Sequence, residues 1–184
     1  MDKVTVIGGS GFLGSHVADE LSARGFSVTI FDQMPSPWTK SDQRMVMGDV
    51  LDLSSLADAC DGARYVYHFA GIADIGEARI NPYRTIEANV LGTTAALEAA
   101  RSSEVERFVY ASTMYVYGAA GSFYRASKQA AETIIETYGE SFDLDFTLLR
   151  FGSLYGPRAQ DWNGLHGYVR QVMEEGRLDY PGSG

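Results

Sequence analysis

The chain has 184 residues, 45% hydrophobic and 21% charged, a composition that fits one folded domain with its own core and argues against a disordered chain. A formal charge of −9 excludes the basic footprint that a nucleic-acid or anionic-membrane partner requires. One cysteine, Cys60, allows neither an internal disulfide nor a multi-thiolate metal site, and with no secretory leader and no apolar run of about 18 residues the chain reads as cytoplasmic.

Val4 to Ile7 reads as a strand that runs directly into Gly8-Gly9-Ser10-Gly11-Phe12-Leu13-Gly14. In this GxxGxxG spacing Gly8 permits a tight turn and Gly11 lets a pyrophosphate approach the backbone. Gly14 lets the next helix, expected over Leu13 to Arg24, pack close to the strand. A second strand, Ser27 to Phe31, leads to Asp32 and Gln33, where a carboxylate binds ribose hydroxyls. The cofactor residues predicted from this segment are therefore Gly8, Gly11, Phe12, Leu13, Gly14, Asp32 and Gln33. The charge of Asp32 repels the extra phosphate of NADP, and no Arg or Lys follows before Lys40, so NAD is the expected cofactor.

After a Pro-rich loop, Met34 to Trp38, a third strand spans Arg44 to Met47 and a helix spans Ser54 to Cys60, with Cys60 expected as buried filler. The fourth strand, Arg64 to Phe69, contains His68, a lone histidine in an apolar run and so read as structural. His16 and His166 carry no recognisable partner spacing. Asp49 and Val50 after the third strand, and Phe69, Ala70 and Gly71 after the fourth, fall at carboxyl ends, where ligands bind in such sheets. They are expected to border adenine and ribose.

The alternation continues with a helix over Pro82 to Ser102, a strand over Arg107 to Ala111, a helix over Tyr124 to Tyr138, a strand over Asp145 to Leu149 and a helix over Gly167 to Glu175. Strands separated by helices pair in parallel through right-handed crossovers, so the predicted fold is α/β, a doubly wound parallel sheet of the Rossmann type. Residues 1–151 form the predicted NAD-binding domain. Residues 152–184, rich in Gly and Arg and ending without a closing element, are expected to begin a truncated substrate-binding portion.

Tyr124 and Lys128 stand four apart, on one face of the expected helix. An ammonium beside a phenol favours the phenolate, so the pair is expected to act as an acid/base, with Lys128 drawing the tyrosine pKa down. Together with the glycine motif, several short segments occur in a characteristic order. They are Gly48-Asp49-Val50, His68-Phe69-Ala70-Gly71, Asn81-Pro82, Asn89 with Gly92-Thr93, Ser112-Thr113, Val116-Tyr117-Gly118, Leu149-Arg150 and Tyr155-Gly156-Pro157. In these residues the chain resembles the extended short-chain dehydrogenase/reductase family, specifically its NAD-dependent nucleotide-sugar epimerases and dehydratases.

The resemblance implies a set of roles. Tyr124 takes a proton from a sugar hydroxyl while the carbon beneath gives hydride to NAD; Lys128 holds the nicotinamide ribose; Thr113 orients the hydroxyl; Asn89 joins the cofactor residues. Ser153 stands where the family commonly has an Asn near the diphosphate, and Arg158, with Arg170 and Arg177, is placed to neutralise it. Dehydratases of the family carry Asp-Glu directly after the Thr, whereas Met114 and Tyr115 follow here, so epimerisation of a nucleotide-diphosphate sugar is expected. Net oxidation or reduction of such a sugar, and a non-catalytic NAD-binding module, stay open as alternatives. The resemblance also implies a homodimer through helices 82–102 and 124–138, with Ala95, Ala96, Ala99, Ala100, Ala126, Ala130, Ala131 and Ile134 on their outer faces.

Overall fold

Side-chain alternation along six short strands sets the architecture of the computed structural model, which describes residues 1–180; residues 181–184, part of the end read as lacking a closing element, lie outside the described residues. The strands are β1 (Lys3–Ile7), β2 (Ser27–Asp32), β3 (Arg44–Met47), β4 (Tyr65–His68), β5 (Arg107–Thr113) and β6 (Phe146–Phe151). All pair in parallel, in the order β3-β2-β1-β4-β5-β6. This is the doubly wound Rossmann-type sheet that the sequence predicts. Its order reverses between β1 and β4, which opens a crevice at the carboxyl ends of those strands.

The helices are α1 (Phe12–Ala23), α2 (Leu53–Cys60), α3 (Ile75–Ile80), α4 (Pro82–Ile86), α5 (Gly92–Ser102), α6 (Ser122–Phe142) and α7 (Gly164–Glu175). On one sheet face Val4, Val6, Val28 and Ile30 pack against Ala18 and Leu21 of α1. The intervening residues Ile7, Phe31, Val66, Phe108 and Tyr110 turn to the other face. There they meet Leu56 and Cys60 of α2, Ala96, Leu97, Ala99 and Ala100 of α5, and Ala131 and Ile135 of α6. Burying a side chain such as Phe108 or Leu97 contributes about 1.5–3 kcal/mol, so this second face carries most of the hydrophobic stabilisation. Cys60 is fully buried within it, and burial pushes its thiol up to about 12.

The packing corrects the reading of the small-residue faces. Ala96, Ala99, Ala100 and Ala131 are fully buried against the sheet, so they do not lie on an outer face. The expected helix over Pro82 to Ser102 is α4 and α5 joined by a π-helical turn, Glu87–Leu91, a local break in the 3.6-residue period that spacing does not announce. The six-residue α3 is absent from the sequence reading. Its start is marked by Asp74, whose side chain accepts from the Gly76 N–H at 2.7 Å. α6 starts two residues before Tyr124 and runs through Gly139 to Phe142.

The chain divides into two compact units, one Met1–Phe151 and the other beginning at Gly152. Within the second unit Asn163 caps α7, accepting from the His166 N–H at 3.0 Å and donating to the Leu154 carbonyl at 2.7 Å. Among the described residues no helix is long and apolar enough to cross a membrane.

Candidate active site

The glycine motif folds into a turn that only glycines can make. Gly8 has φ +82°, and a Cβ there would lie 2.4 Å from the Ala70 N, inside the backbone that follows β4. A Cβ on Gly14 would lie 2.2 Å from the Gly8 carbonyl oxygen, so the close seating of α1 on the turn requires its absence. At Gly11 the nearest atom to such a Cβ is the Gly8 oxygen at 3.4 Å, which leaves room for a ligand to approach. Gly11 is also the N-cap of α1 and supplies no side-chain cap, so the N–H groups of the first turn, at Phe12 and Leu13, keep their partial positive charge for an anion.

Asp32, at the end of β2, is fixed over this turn. One carboxylate oxygen accepts from the Ser10 N–H at 3.0 Å and the other from the Met34 N–H at 3.1 Å. A carboxylate offers about four acceptor sites, so free ones remain on both oxygens for a diol. Ser10, which the sequence reading did not single out, secures the arrangement by donating its hydroxyl to the Met34 carbonyl at 2.7 Å. Gln33 is exposed beside it. Asp49 lies at the end of β3, accepts from the Leu51 N–H at 3.0 Å and stands 3.7 Å from Arg84. Val50 packs against Gly92, where a Cβ would come within 2.7 Å of its methyl.

Phe69 and Ala70 are tied to β1, both N–H groups donating to the Ile7 carbonyl at 2.8 and 3.1 Å. Asn89, in the π-helical turn, then locks the next residues to α6. Its carbonyl oxygen accepts from the Ile72 N–H at 2.7 Å, and its amide donates to the Ile72 carbonyl and the Ser127 hydroxyl, both at 2.9 Å. Those bonds use both amide donors and one of the two acceptor sites of the oxygen, so the side chain positions the loop that follows β4. A Cβ on Gly71 would lie 2.6 Å from the Asn89 oxygen, which fits that tight clamp. His68 is fully buried beneath it, with Nε2 3.1 Å from the Thr93 hydroxyl; burial and the Lys128 charge push it down to about 3, so it is neutral.

Thr113 ends β5 and Tyr124 stands in the first turn of α6, where the Thr113 hydroxyl acts to lower the pKa of the phenol. Lys128 is buried one turn on, with Nζ donating to the Ala111 carbonyl at 2.8 Å, 4.5 Å from the Tyr110 ring centroid and 6.0 Å from that of Tyr124. The expected lowering of the Tyr124 pKa is not what this arrangement gives. Burial raises the phenol above its ordinary value, the nearby Thr113 hydroxyl opposes that rise, and Lys128 is not among the groups that shift it. Lys128 itself is lowered to about 8, by burial first, with Glu132 acting to raise it.

Glu132, also missed, lies on the same α6 face one turn beyond Lys128, a position that the i, i+4 spacing from Tyr124 and Lys128 marks. Ser153 and Arg158 belong to the second unit, where Ser153 is exposed and Arg158 adopts φ 68°. In that unit Arg170 pairs with Asp161 at 2.9 Å and Arg177 with Asp179 at 3.0 Å. A pocket lined by Leu21, Phe26, Tyr65, Tyr67, Arg107 and Val109, on the α1 side of the sheet, holds none of the residues assigned a role.

Comparison with known proteins agrees with the geometry. The model of the NAD dependent epimerase/dehydratase family matches residues 4–184. A UDP-glucose 4-epimerase of Rhizobium meliloti is 27% identical over 183 residues, 88% of this chain and 56% of that protein. A UDP-N-acetyl-alpha-D-glucosaminuronate decarboxylase of Bacillus cytotoxicus is 30% identical over 182 residues, 86% of this chain and 56% of that protein. The crystal structure of a Thermus thermophilus UDP-glucose 4-epimerase in complex with NAD superposes with a TM-score of 0.84 at 29% identity, covering 92% of this chain and 61% of that one. The chain thus spans somewhat over half the length of the relatives it matches.

Proposed function

Because the chain belongs to the NAD dependent epimerase/dehydratase family, we propose that it binds NAD along the carboxyl edge of its sheet and epimerises a nucleotide-diphosphate sugar through a transient ketone. The observation that carries this reading is the convergence of Thr113, Tyr124 and Lys128 at the carboxyl end of β5 and the start of α6, in the unit that holds the glycine turn.

The residues present fit the cofactor. The open space at Gly11, the uncapped first turn of α1 with Phe12 and Leu13, and the free acceptor sites of Asp32 match a pyrophosphate and a ribose diol. Gly8 and Gly14 shape the turn, with Gln33, Asp49, Val50, Phe69, Ala70 and Gly71 along the same edge; Asn89 acts by holding that edge in place. When bound, the nicotinamide supplies the group that takes hydride from the sugar carbon and returns it.

Tyr124 is the base: as a phenolate its oxygen accepts the hydroxyl proton while the carbon is oxidised, and the resulting phenol gives that proton back on reduction. Burial works against the phenolate and the Thr113 hydroxyl opposes that rise, while Lys128, 6.0 Å from the Tyr124 ring centroid, is assigned to the nicotinamide ribose. Ser153 and Arg158 are assigned to the sugar-diphosphate side. Met114 and Tyr115, directly after Thr113, carry no carboxyl group that would drive elimination of water, which favours epimerisation over dehydration.

The test supplies the chain with NAD and a panel of UDP-sugars and follows the sugar and the absorbance of reduced nicotinamide together. An epimer without net NADH is the expected result. Steady accumulation of NADH would instead make the chain a net oxidoreductase, loss of carbon dioxide from a UDP-uronic acid would align it with the Bacillus relative, and NAD binding without product would leave a cofactor-binding module.

A further inference from the structure

Behind the Tyr124–Lys128 face lies an ion pair that stability alone does not account for. Glu132 accepts from Arg150 Nε at 3.0 Å and from its Nη2 at 2.9 Å, a bidentate pairing in which the glutamate side chain is 9% exposed and the arginine 32%. Burying such a pair is often no better for stability than apolar packing of the same volume. The rest of the surroundings hold the carboxylate still. Ser112 of β5 donates its hydroxyl to Glu132, Ser112 pairs in register with Arg150 of β6, and Arg150 is braced by the Tyr117 hydroxyl and lies 4.9 Å over the Tyr117 ring.

The group that receives the effect is Lys128, one helical turn away on the same face. Around its ammonium, α6 presents Tyr124 and Glu132, β5 presents the Tyr110 ring and the Ala111 carbonyl, and β4 presents the neutral His68. Of these only Glu132 brings a full negative charge.

We propose that Glu132 is the counter-charge that keeps Lys128 an ammonium in its buried position, and that Arg150 and Ser112 are positioning residues that hold the carboxylate to that task. The proposal builds on the role given to Lys128 above, but its test needs neither NAD nor sugar.

The chain has only three lysines, Lys3, Lys40 and Lys128, so NMR of Cε-labelled lysine resolves each, and Lys3→Arg and Lys40→Arg assign them. The Lys128 resonance of the ligand-free chain should titrate with a midpoint near 8. In Glu132→Gln, burial acts unopposed and the midpoint should fall by about one pH unit or more. A merely structural role gives the opposite sign, since loosened packing admits water and moves the midpoint up towards 10.5. An unchanged or raised midpoint therefore overturns the proposal. If Glu132→Gln does not fold, the double variant Glu132→Gln/Arg150→Met, which does not strand the arginine charge, is read the same way: a midpoint below wild type supports the proposal, and one equal or higher overturns it. Because no turnover is measured, failure here leaves the epimerase reading standing, and an inactive chain leaves this titration intact.

Discussion

Tyr124→Phe lowers turnover of the nucleotide sugar by about 100- to 10,000-fold, the range that one positioned acid/base contributes. The ring stays, so its edge contact with Tyr115 and its place above Lys128 are kept. What would be lost is the oxygen proposed to accept the substrate proton, which the neighbouring Thr113 hydroxyl favours in its charged form. The phenol is already held above its ordinary pKa by burial, so its removal leaves no buried charge unpaired and the thermal midpoint should hold. The loss should appear in kcat, with KM and NAD affinity close to wild type, because the proton transfer is made only on the way to the transition state. Steady-state kinetics with NAD titrations on both proteins check this. Wild-type turnover in the variant would remove Tyr124 from the chemistry.

Gly14→Ala has the largest expected effect on the fold itself. Helix propensity favours alanine by about 1 kcal/mol at a helical position. Against it stand contacts of 2.2 Å to the Gly8 oxygen, 2.8 Å to the Gly9 Cα and 2.9 Å to the Gly8 carbonyl carbon. All three are backbone atoms of the turn, so the clash cannot be relieved by rotating a side chain, and α1 or the turn must move. Overpacking of this kind costs typically about 1–3 kcal/mol, enough to outweigh the propensity gain. A net loss of about 1–2 kcal/mol, in the upper part of that range because all three contacts are to backbone, lowers the midpoint of a chain this size by roughly 2–8 °C. NAD should lose its stabilising effect as well, since the displaced turn no longer presents the α1 N-terminus. Thermal unfolding with and without NAD measures both, and Gly152→Ala, with nothing within 4 Å of its Cβ, is the control expected to stay near wild type. A Gly14→Ala midpoint equal to the control would mean that the seating of α1 tolerates a methyl group.

The glycine turn was legible because its residues are consecutive and their purpose is local: a strand, a turn and a helix start within twelve residues, with Asp32 closing the next strand. Tyr124 and Lys128 were legible for the same reason, being one turn apart on one helix. The clamp of Asn89 on Ile72 and Ser127 was not, because it joins segments 17 and 38 residues distant through a π-helical turn that breaks the usual spacing. The direction of the Tyr124 shift was misread on similar grounds: sequence shows the neighbouring lysine but not how deeply the phenol is buried. Alanines on α5 and α6 likewise suit two faces equally, and only the packing assigns Ala96, Ala99, Ala100 and Ala131 to the sheet. α3 has six residues, too few for a periodic signal, and its Asp74 cap is the one local mark of its start.

Transient oxidation has a direct isotopic signature. In the proposed reaction the hydrogen on the reacting carbon leaves as hydride and returns from the same bound cofactor, while only the hydroxyl proton, passing through Tyr124, exchanges with solvent. Run in heavy water, the reaction should therefore yield an epimer with no deuterium on any sugar carbon. Deuterium at the inverted carbon would show that a proton, and not a hydride, is removed there, and would contradict the assignment of Tyr124 and NAD to a shared oxidation and reduction.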